Sequence, residues 1–251
     1  NHKTMWSCNL STKEQQLILN ALDKRINQRI PLPYITQTAW FCGYPFFVDE
    51  RVLIPRSPIA ELIEKSFSPW ADFIHNPPDA ILDLCTGSGC IGIACAMMFE
   101  EAQVDLIDIS NDALDVARKN IETFSLSDRV KPIQSDGLAA LDEVYSGKYS
   151  LIVSNPPYVD QTDFNSMPEE FKSEPELGLV SGNDGLDLVR KILAHSAEYL
   201  TEDGLLVVEL GNSWLALEEA YPDFPFTWVD FEFGGHGVFV LSAKELKHYD
   251  W

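Results

Sequence analysis

The chain has 251 residues, 45% of them hydrophobic and 23% charged, which is enough for one sizeable core plus a small accessory unit and too mixed for a disordered or fibrous protein. Its formal net charge of −21 sets it against phosphate backbones, which call for a basic footprint, and suits a basic protein partner; solubility alone accounts for the same charge equally well. No apolar run approaches a bilayer span, no secretory signal opens the sequence, and the five cysteines (Cys8, Cys42, Cys85, Cys90 and Cys95) lack CxxC spacing, so a cytoplasmic protein with reduced thiols, no membrane contact and no metal site is expected.

The first predicted element is a helix over residues 12–27, where Leu17, Ile18, Ala21, Leu22 and Ile26 recur at helical spacing behind Ser11 or Thr12 as a cap. A hairpin is expected over 41–54, with Phe41 to Phe47 as one arm and Val48 to Ile54 as the other. Pro55-Arg56-Ser57-Pro58 breaks the chain, and a helix with Ile59, Leu62 and Ile63 on one face follows. After a second breaker, Asn76-Pro77-Pro78-Asp79, strands and helices alternate. Strands are predicted at Ala80–Leu84, Val104–Ile109, Val130–Gln134, Tyr149–Ser154 and Gly204–Leu210. Helices are predicted at Gly89–Phe99, beyond a Ser110 or Asn111 cap, and from about Leu186 to Leu200. Apolar strands joined by helices imply a parallel sheet buried on both faces. Phe226 to Phe233, then Gly234-Gly235, then Val238 to Leu241 read as an antiparallel hairpin that closes the sheet.

Four segments carry chemistry, each at the carboxyl end of a predicted strand. In Asp83-Leu84-Cys85-Thr86-Gly87-Ser88-Gly89 the glycines allow a sharp turn and close approach to a ligand. Gly87 to Gly92 also matches GxGxxG, so a nicotinamide-type dinucleotide enzyme is open, as is a bare turn. The Asp83 carboxylate would repel a pyrophosphate and favours a cationic ligand. Asp108 closes the second strand, where an acid can accept from both hydroxyls of a ribose, or simply sit at the start of the next helix. In Ser135-Asp136-Gly137, Asp136 can accept from an adenine amino group beside a glycine that leaves room for the ring, and an ordinary turn fits nearly as well. The deciding segment is Asn155-Pro156-Pro157-Tyr158. Two prolines stiffen the backbone and remove its donors, leaving the Asn155 side-chain oxygen and the Pro156 carbonyl as acceptors that can hold an NH2 group by its hydrogens. Tyr158 offers a flat face to a planar amide or base. Holding an amide nitrogen in this way raises its electron density and aligns it with an electrophile.

These residues resemble those of class I S-adenosylmethionine methyltransferases, and Asn155 to Tyr158 is similar to the NPPY motif of the members that methylate planar nitrogens: DNA adenine, RNA guanine and protein glutamine enzymes. The protein-glutamine N5-methyltransferases match furthest. Leu53-Ile54-Pro55-Arg56, Ser154 to Tyr158, Glu174-Pro175 and Gly182-Asn183-Asp184-Gly185-Leu186 all look like segments of that family, over roughly residues 12 to 242. Ser57 to Glu61, Phe41 to Glu50 and Phe233 to Val238 look like the branch acting on the third protein of the large ribosomal subunit; the release-factor branch usually reads Pro-Arg-Pro-Glu-Thr-Glu and often has an aromatic residue where Gly137 stands.

The resemblance implies an α/β fold with a Rossmann-like, mostly parallel seven-stranded sheet. It implies a helix and hairpin unit over 1–57 that selects the substrate and a methyltransferase domain over 58–251. S-adenosylmethionine, leaving as S-adenosylhomocysteine, would be held by Asp83, Cys85, Thr86, Gly87, Ser88, Gly89, Asp108, Ile109, Asp136, Gly137 and Asn155, with no metal. Asn155, Pro156, Pro157 and Tyr158 would hold the acceptor glutamine, and a basic ribosomal protein would be the substrate. Release factor or, further off, a nucleic-acid base are the competing acceptors, although the acidity speaks against stable nucleic-acid binding. A non-catalytic module with a vestigial pocket is disfavoured by the intact acidic and NPPY residues.

Overall fold

The computed structural model describes residues 9–73 and 77–251. Cys8 and the Asn76 end of the second breaker lie outside them.

Helix α1 (Thr12–Ile26) opens with a complete capping box: the Ser11 hydroxyl accepts from the Glu14 N–H at 3.3 Å while the Glu14 carboxylate accepts from the Ser11 N–H at 2.8 Å. Its apolar stripe finds no cover. Leu17, Ile18, Leu22 and Ile26 are all exposed, and no residue of the helix is buried. A short helix α2 (Leu32–Thr36), which the sequence pattern does not announce, leads into strands β1 (Ala39–Phe41) and β2 (Tyr44–Phe46).

The hairpin is tighter than expected. Cys42 and Gly43 both take positive φ, 46° and 76°, which makes a two-residue turn and pairs Phe41 with Tyr44. The expected second arm, Val48 to Ile54, is no strand. Asn120, fully buried and far along the chain, supplies what a partner strand would have supplied. Its Oδ1 accepts from the Phe47 N–H at 2.8 Å and its Nδ2 donates to the Phe47 carbonyl at 3.0 Å. Phe41 and Phe46 share one buried cluster with Ile59, Ile81 and Ile91, so the hairpin packs into the main core.

Helix α3 (Ile59–Glu64) precedes the alternating region, which runs β3 (Ala80–Leu84), α4 (Cys90–Met98), β4 (Gln103–Asp108), α5 (Asn111–Thr123), β5 (Val130–Gln134) and β6 (Tyr149–Ser154). It continues through α6 (Gln161–Ser166), α7 (Asp187–Tyr199), β7 (Leu200–Glu209), α8 (Trp214–Ala220), β8 (Thr227–Trp228), β9 (Val238–Ser242) and α9 (Ala243–His248). Seven strands form one sheet in the order β5-β4-β3-β6-β7-β9-β8, parallel from β5 to β7 and antiparallel at β9 and β8. Two apolar clusters cover its faces. Between β3 and β6 the order of travel reverses, which opens a crevice at their carboxyl ends, the usual ligand position in such sheets.

Helix α4 lies very close to the sheet because Gly92 has no side chain: a Cβ there would fall 2.2 Å from Leu106 Cδ2 and 2.9 Å from Asp83 Cβ. Strand β8 is shorter than the pattern suggests. The Glu61 carboxylate accepts from the N–H groups of Glu232 (3.0 Å) and Phe233 (3.3 Å), which takes this stretch out of the ladder. Strand β7 begins at Leu200, ahead of the expected Gly204, with a register irregularity opposite Tyr149 and Leu151.

Candidate active site

The loop after β3 turns through three left-handed residues, Cys85 (φ 63°), Gly87 (55°) and Gly89 (81°). Gly89 caps α4, and a Cβ there would press on Ile93, Leu106 and Ala117 at 3.0 to 3.3 Å, so glycine is required for packing as well as for φ. At Gly87 a Cβ would meet nothing, because the residue faces open space. Its N–H donates to Asp108 Oδ2 at 2.9 Å, while Asp108 Oδ1 accepts from the Ser110 N–H at the start of α5, also at 2.9 Å. One carboxylate thus spaces the glycine loop against the neighbouring strand end. Burial raises its pKa from the ordinary aspartate value, opposed by these N–H donors.

Asp83 is fully buried. Its Oδ2 accepts from the Thr86 hydroxyl at 2.5 Å and the Gly92 N–H at 2.8 Å, and its Oδ1 has no partner among the described residues. Burial pushes this carboxyl up to about 7 against those two bonds, and the Asp108 carboxylate adds to the rise. Burial likewise raises the Cys85 thiol, and the Asp108 and Asp83 carboxylates add to the rise.

A cavity of about 350 Å³ occupies the crevice. Cys85, Thr86, Gly87, Ser88, Asp108, Ile109, Asp136, Gly137, Asn155 and Pro157 all line it. Asp83, Gly89, Pro156 and Tyr158 stand outside the wall; the cavity-lining Thr86 is the residue that connects to Asp83. The wall beside Gly137 is closed by Leu188 of α7, whose Cδ1 lies 3.6 Å from where a Gly137 Cβ would be.

The Asn155–Tyr158 segment leaves β6 next to β3, with Ser154 paired to Leu84 and its hydroxyl donating to the Leu84 carbonyl at 2.7 Å. Beyond it the chain is clamped. The Tyr158 carbonyl accepts from the Ser213 hydroxyl at 2.5 Å, and a Cβ on Gly185 would fall 2.1 Å from the same oxygen. The Val159 N–H donates to Leu179 O at 2.8 Å and the Ser181 N–H to Val159 O at 3.1 Å, so residues 179–181 run alongside as a parallel bridge. Asp184 then pairs with Arg190 through two hydrogen bonds, 3.2 and 2.5 Å.

Two residues that sequence reasoning used only as signatures acquire a role in the geometry. Arg56 donates to both oxygens of the buried Glu174, at 2.8 and 2.9 Å, and the Ile54 N–H donates to Glu174 at 3.3 Å. This ties Leu53–Arg56, which lines the cavity, to the Glu174-Pro175 stretch opposite. Glu209 was missed altogether. It is a buried carboxylate ending a strand that is otherwise apolar from Leu205 to Val208, and that break in the pattern is the signal that could have found it.

The Methyltransferase small domain model matches residues 71–174. The hMettl16 catalytic domain, solved with the MAT2A 3′UTR hairpin 6, superposes with a TM-score of 0.61 at 18% identity over 97% of this chain and 84% of its own, a likeness of fold. Over 240 residues the chain is 52% identical to the ribosomal protein uL3 glutamine methyltransferase of Francisella tularensis, covering 96% of this chain and 75% of the relative. The enzyme of that name from Neisseria gonorrhoeae is 44% identical over 93% and 76% of the two chains. The chain belongs to the ribosomal protein uL3 glutamine methyltransferase family. Within the uL3 glutamine methyltransferases, then, the expected seven-stranded α/β methyltransferase fold, with its antiparallel final hairpin, is the one present. Among the described residues no helix is long and apolar enough to cross a membrane.

Proposed function

We propose that this protein transfers a methyl group from S-adenosylmethionine to the N5 amide of a glutamine in ribosomal protein uL3. One observation carries the reading for this chain: the strand-order reversal brings the glycine loop, Asp108 and Asn155 to a single cavity. The residues present fit the cofactor. The cationic ligand would meet the carboxylates of Asp108 and Asp136 in the wall, the buried Ser88 hydroxyl and Asp83 Oδ1 lack partners among the described residues, and Gly87 presents no side chain to the open space before it. When bound, S-adenosylmethionine supplies an electrophilic methyl group on sulfur.

The chain's own part is binding and orientation. Asp108 holds the ribose, and its bond to Gly87 keeps the loop at the right spacing to do so. Thr86, backed by Asp83, faces the amino-acid end of the cofactor. Asp136 and Gly137 border the adenine, with Leu188 closing that wall. Asn155 and the Pro156 carbonyl accept from the two hydrogens of the glutamine amide, while Pro157 and Tyr158 pack beside it. A glutamate in place of the glutamine lacks those donors and leaves buried acceptors unmet. Residues 1–57 serve substrate selection, and the net charge of −21 suits a basic ribosomal protein.

The test is methyl transfer from labelled S-adenosylmethionine to unmethylated ribosomal proteins and to class I release factors in separate reactions, with products mapped by mass spectrometry. Label on a glutamine of uL3 alone is the expected result. Label on release factor alone would keep the chemistry and refute the substrate, and label on neither would refute both.

A further inference from the structure

Tyr158 has a flat face that is useful to an amide only if the ring is held still. The ring abuts the strand-end backbone so closely that a Cβ on Gly211 would lie 2.7 Å from Tyr158 Cε2. Its hydroxyl donates to Glu209 Oε1 at 3.2 Å. The other oxygen of that carboxylate, Oε2, accepts from the Ser57 hydroxyl at 2.5 Å, and Ser57 is itself buried and part of the cavity wall. Ser57 is held in turn, because its oxygen accepts from the Ile59 N–H at 3.2 Å.

A carboxylate is a costly group to place at this depth, and an apolar side chain would end β7 more cheaply. Burial drives the Glu209 pKa upward, and the bonds from Ser57 and Tyr158, with the nearby Arg56 charge, work against that rise. That cost falls where the strand end is bonded to both segments: to Ser57 of the Leu53–Ser57 wall and to Tyr158 of the Asn155–Tyr158 loop.

We propose that Glu209 is a positioning residue for methyl transfer, fixing the Tyr158 ring through its hydroxyl and joining it to the cavity wall through Ser57. This rests on the glutamine-methylating reading above. Glu209 touches neither cofactor nor acceptor in this scheme; it acts only through the tyrosine.

The experiment is a double-mutant cycle with Glu209→Gln, Tyr158→Phe and the double variant, reading kcat, KM and cofactor affinity. Each single change is expected to lower kcat about 10-fold, the worth of one hydrogen bond to a charged group, with cofactor affinity unchanged. The double variant is expected to be no worse than either single one, since both act on the same bond: Phe removes its donor, while Gln removes the charge and leaves one acceptor oxygen where two donors, Tyr158 and Ser57, need one each. Additive losses of about 100-fold, or a Glu209→Gln enzyme with wild-type kcat, would overturn the proposal. Ser57→Ala is the second probe should Glu209→Gln fold poorly; it leaves Glu209 in place, removes one donor, and is expected to lower kcat with cofactor affinity kept, whereas an unchanged kcat would count against the proposal. A readout independent of activity is the Tyr158 ring-flip rate by NMR, expected to rise in Glu209→Gln; equal rates refute the positioning role. A wild-type protein inactive on every glutamine substrate would refute the proposed function, and the ring-flip comparison would still decide for or against Glu209.

Discussion

At the scale of single residues, the cavity is framed by carboxylates held in place by backbone N–H groups at Asp108, by a hydroxyl and an N–H at Asp83, and by hydroxyls at Glu209. Asn155 lines the cavity, so Asn155→Ala is expected to reduce turnover by about 100-fold or more while cofactor affinity stays within about 2-fold. Isothermal titration beside the methylation assay checks this, and near-normal turnover would end the role. Asp83 makes a different prediction. Its folded-state pKa of about 7 lies above the unfolded value, so the folded chain binds the proton more tightly. Stability from this group is therefore full below the unfolded pKa and is lost as pH rises towards about 7. Asp83→Asn keeps an acceptor for Thr86 and Gly92 without the charge. The variant should gain on the wild type in urea midpoint as pH rises from about 4 to about 7 and level off above that; a difference that does not grow with pH over this range would show that Asp83 does not titrate there.

At the scale of elements, what the sequence made legible and what it hid separate by distance along the chain. The strands from β3 to β6 and the helices α4, α5 and α7 follow from apolar runs and helical spacing, which are local signals, and they lie where those signals put them. The end of the first hairpin depends on Asn120, 73 residues beyond Phe47, and the shortness of β8 depends on Glu61, 171 residues before Glu232; no local pattern carries either. Likewise the NPPY residues and glycine loop were readable as motifs, whereas Glu174 and Glu209 matter through tertiary partners alone. The contact of α4 with the sheet leaves no room for one methyl group. Gly92→Ala should cost about 1–3 kcal/mol of stability by denaturant unfolding, and an unaffected midpoint would mean that the helix can shift outward freely. Helix α1 is the opposite case. It has 15 residues, a good cap and no buried side chain, so it lacks the packing that stabilises most helices of that length. Its amides are expected to exchange with solvent faster than those of α4, α5 or α7; protection equal to theirs would contradict the exposure of its apolar stripe.

At the scale of the whole molecule, the charge of −21 acts over longer distances than any single pair. A basic ribosomal protein should be drawn in fastest at low salt. Its KM should therefore climb several-fold as ionic strength rises from about 0.05 to about 0.5 M, while cofactor KM changes little. A substrate KM indifferent to salt would separate the acidity from substrate capture. A net charge of −21 also opposes docking on an RNA-covered particle and favours a free protein as the substrate.

Asn120 bears on any attempt to pare the enzyme down. Its amide also donates to the Ser88 carbonyl at 2.8 Å, so a single side chain at zero exposure serves both the glycine loop and Phe47 of the hairpin segment. Cutting the chain before Pro58 would strip two of those three bonds and lift Phe41 and Phe46 off the core. The shortened protein would then hold its glycine loop with a buried amide left half-satisfied, and truncation at that boundary would weaken the very loop it was meant to isolate.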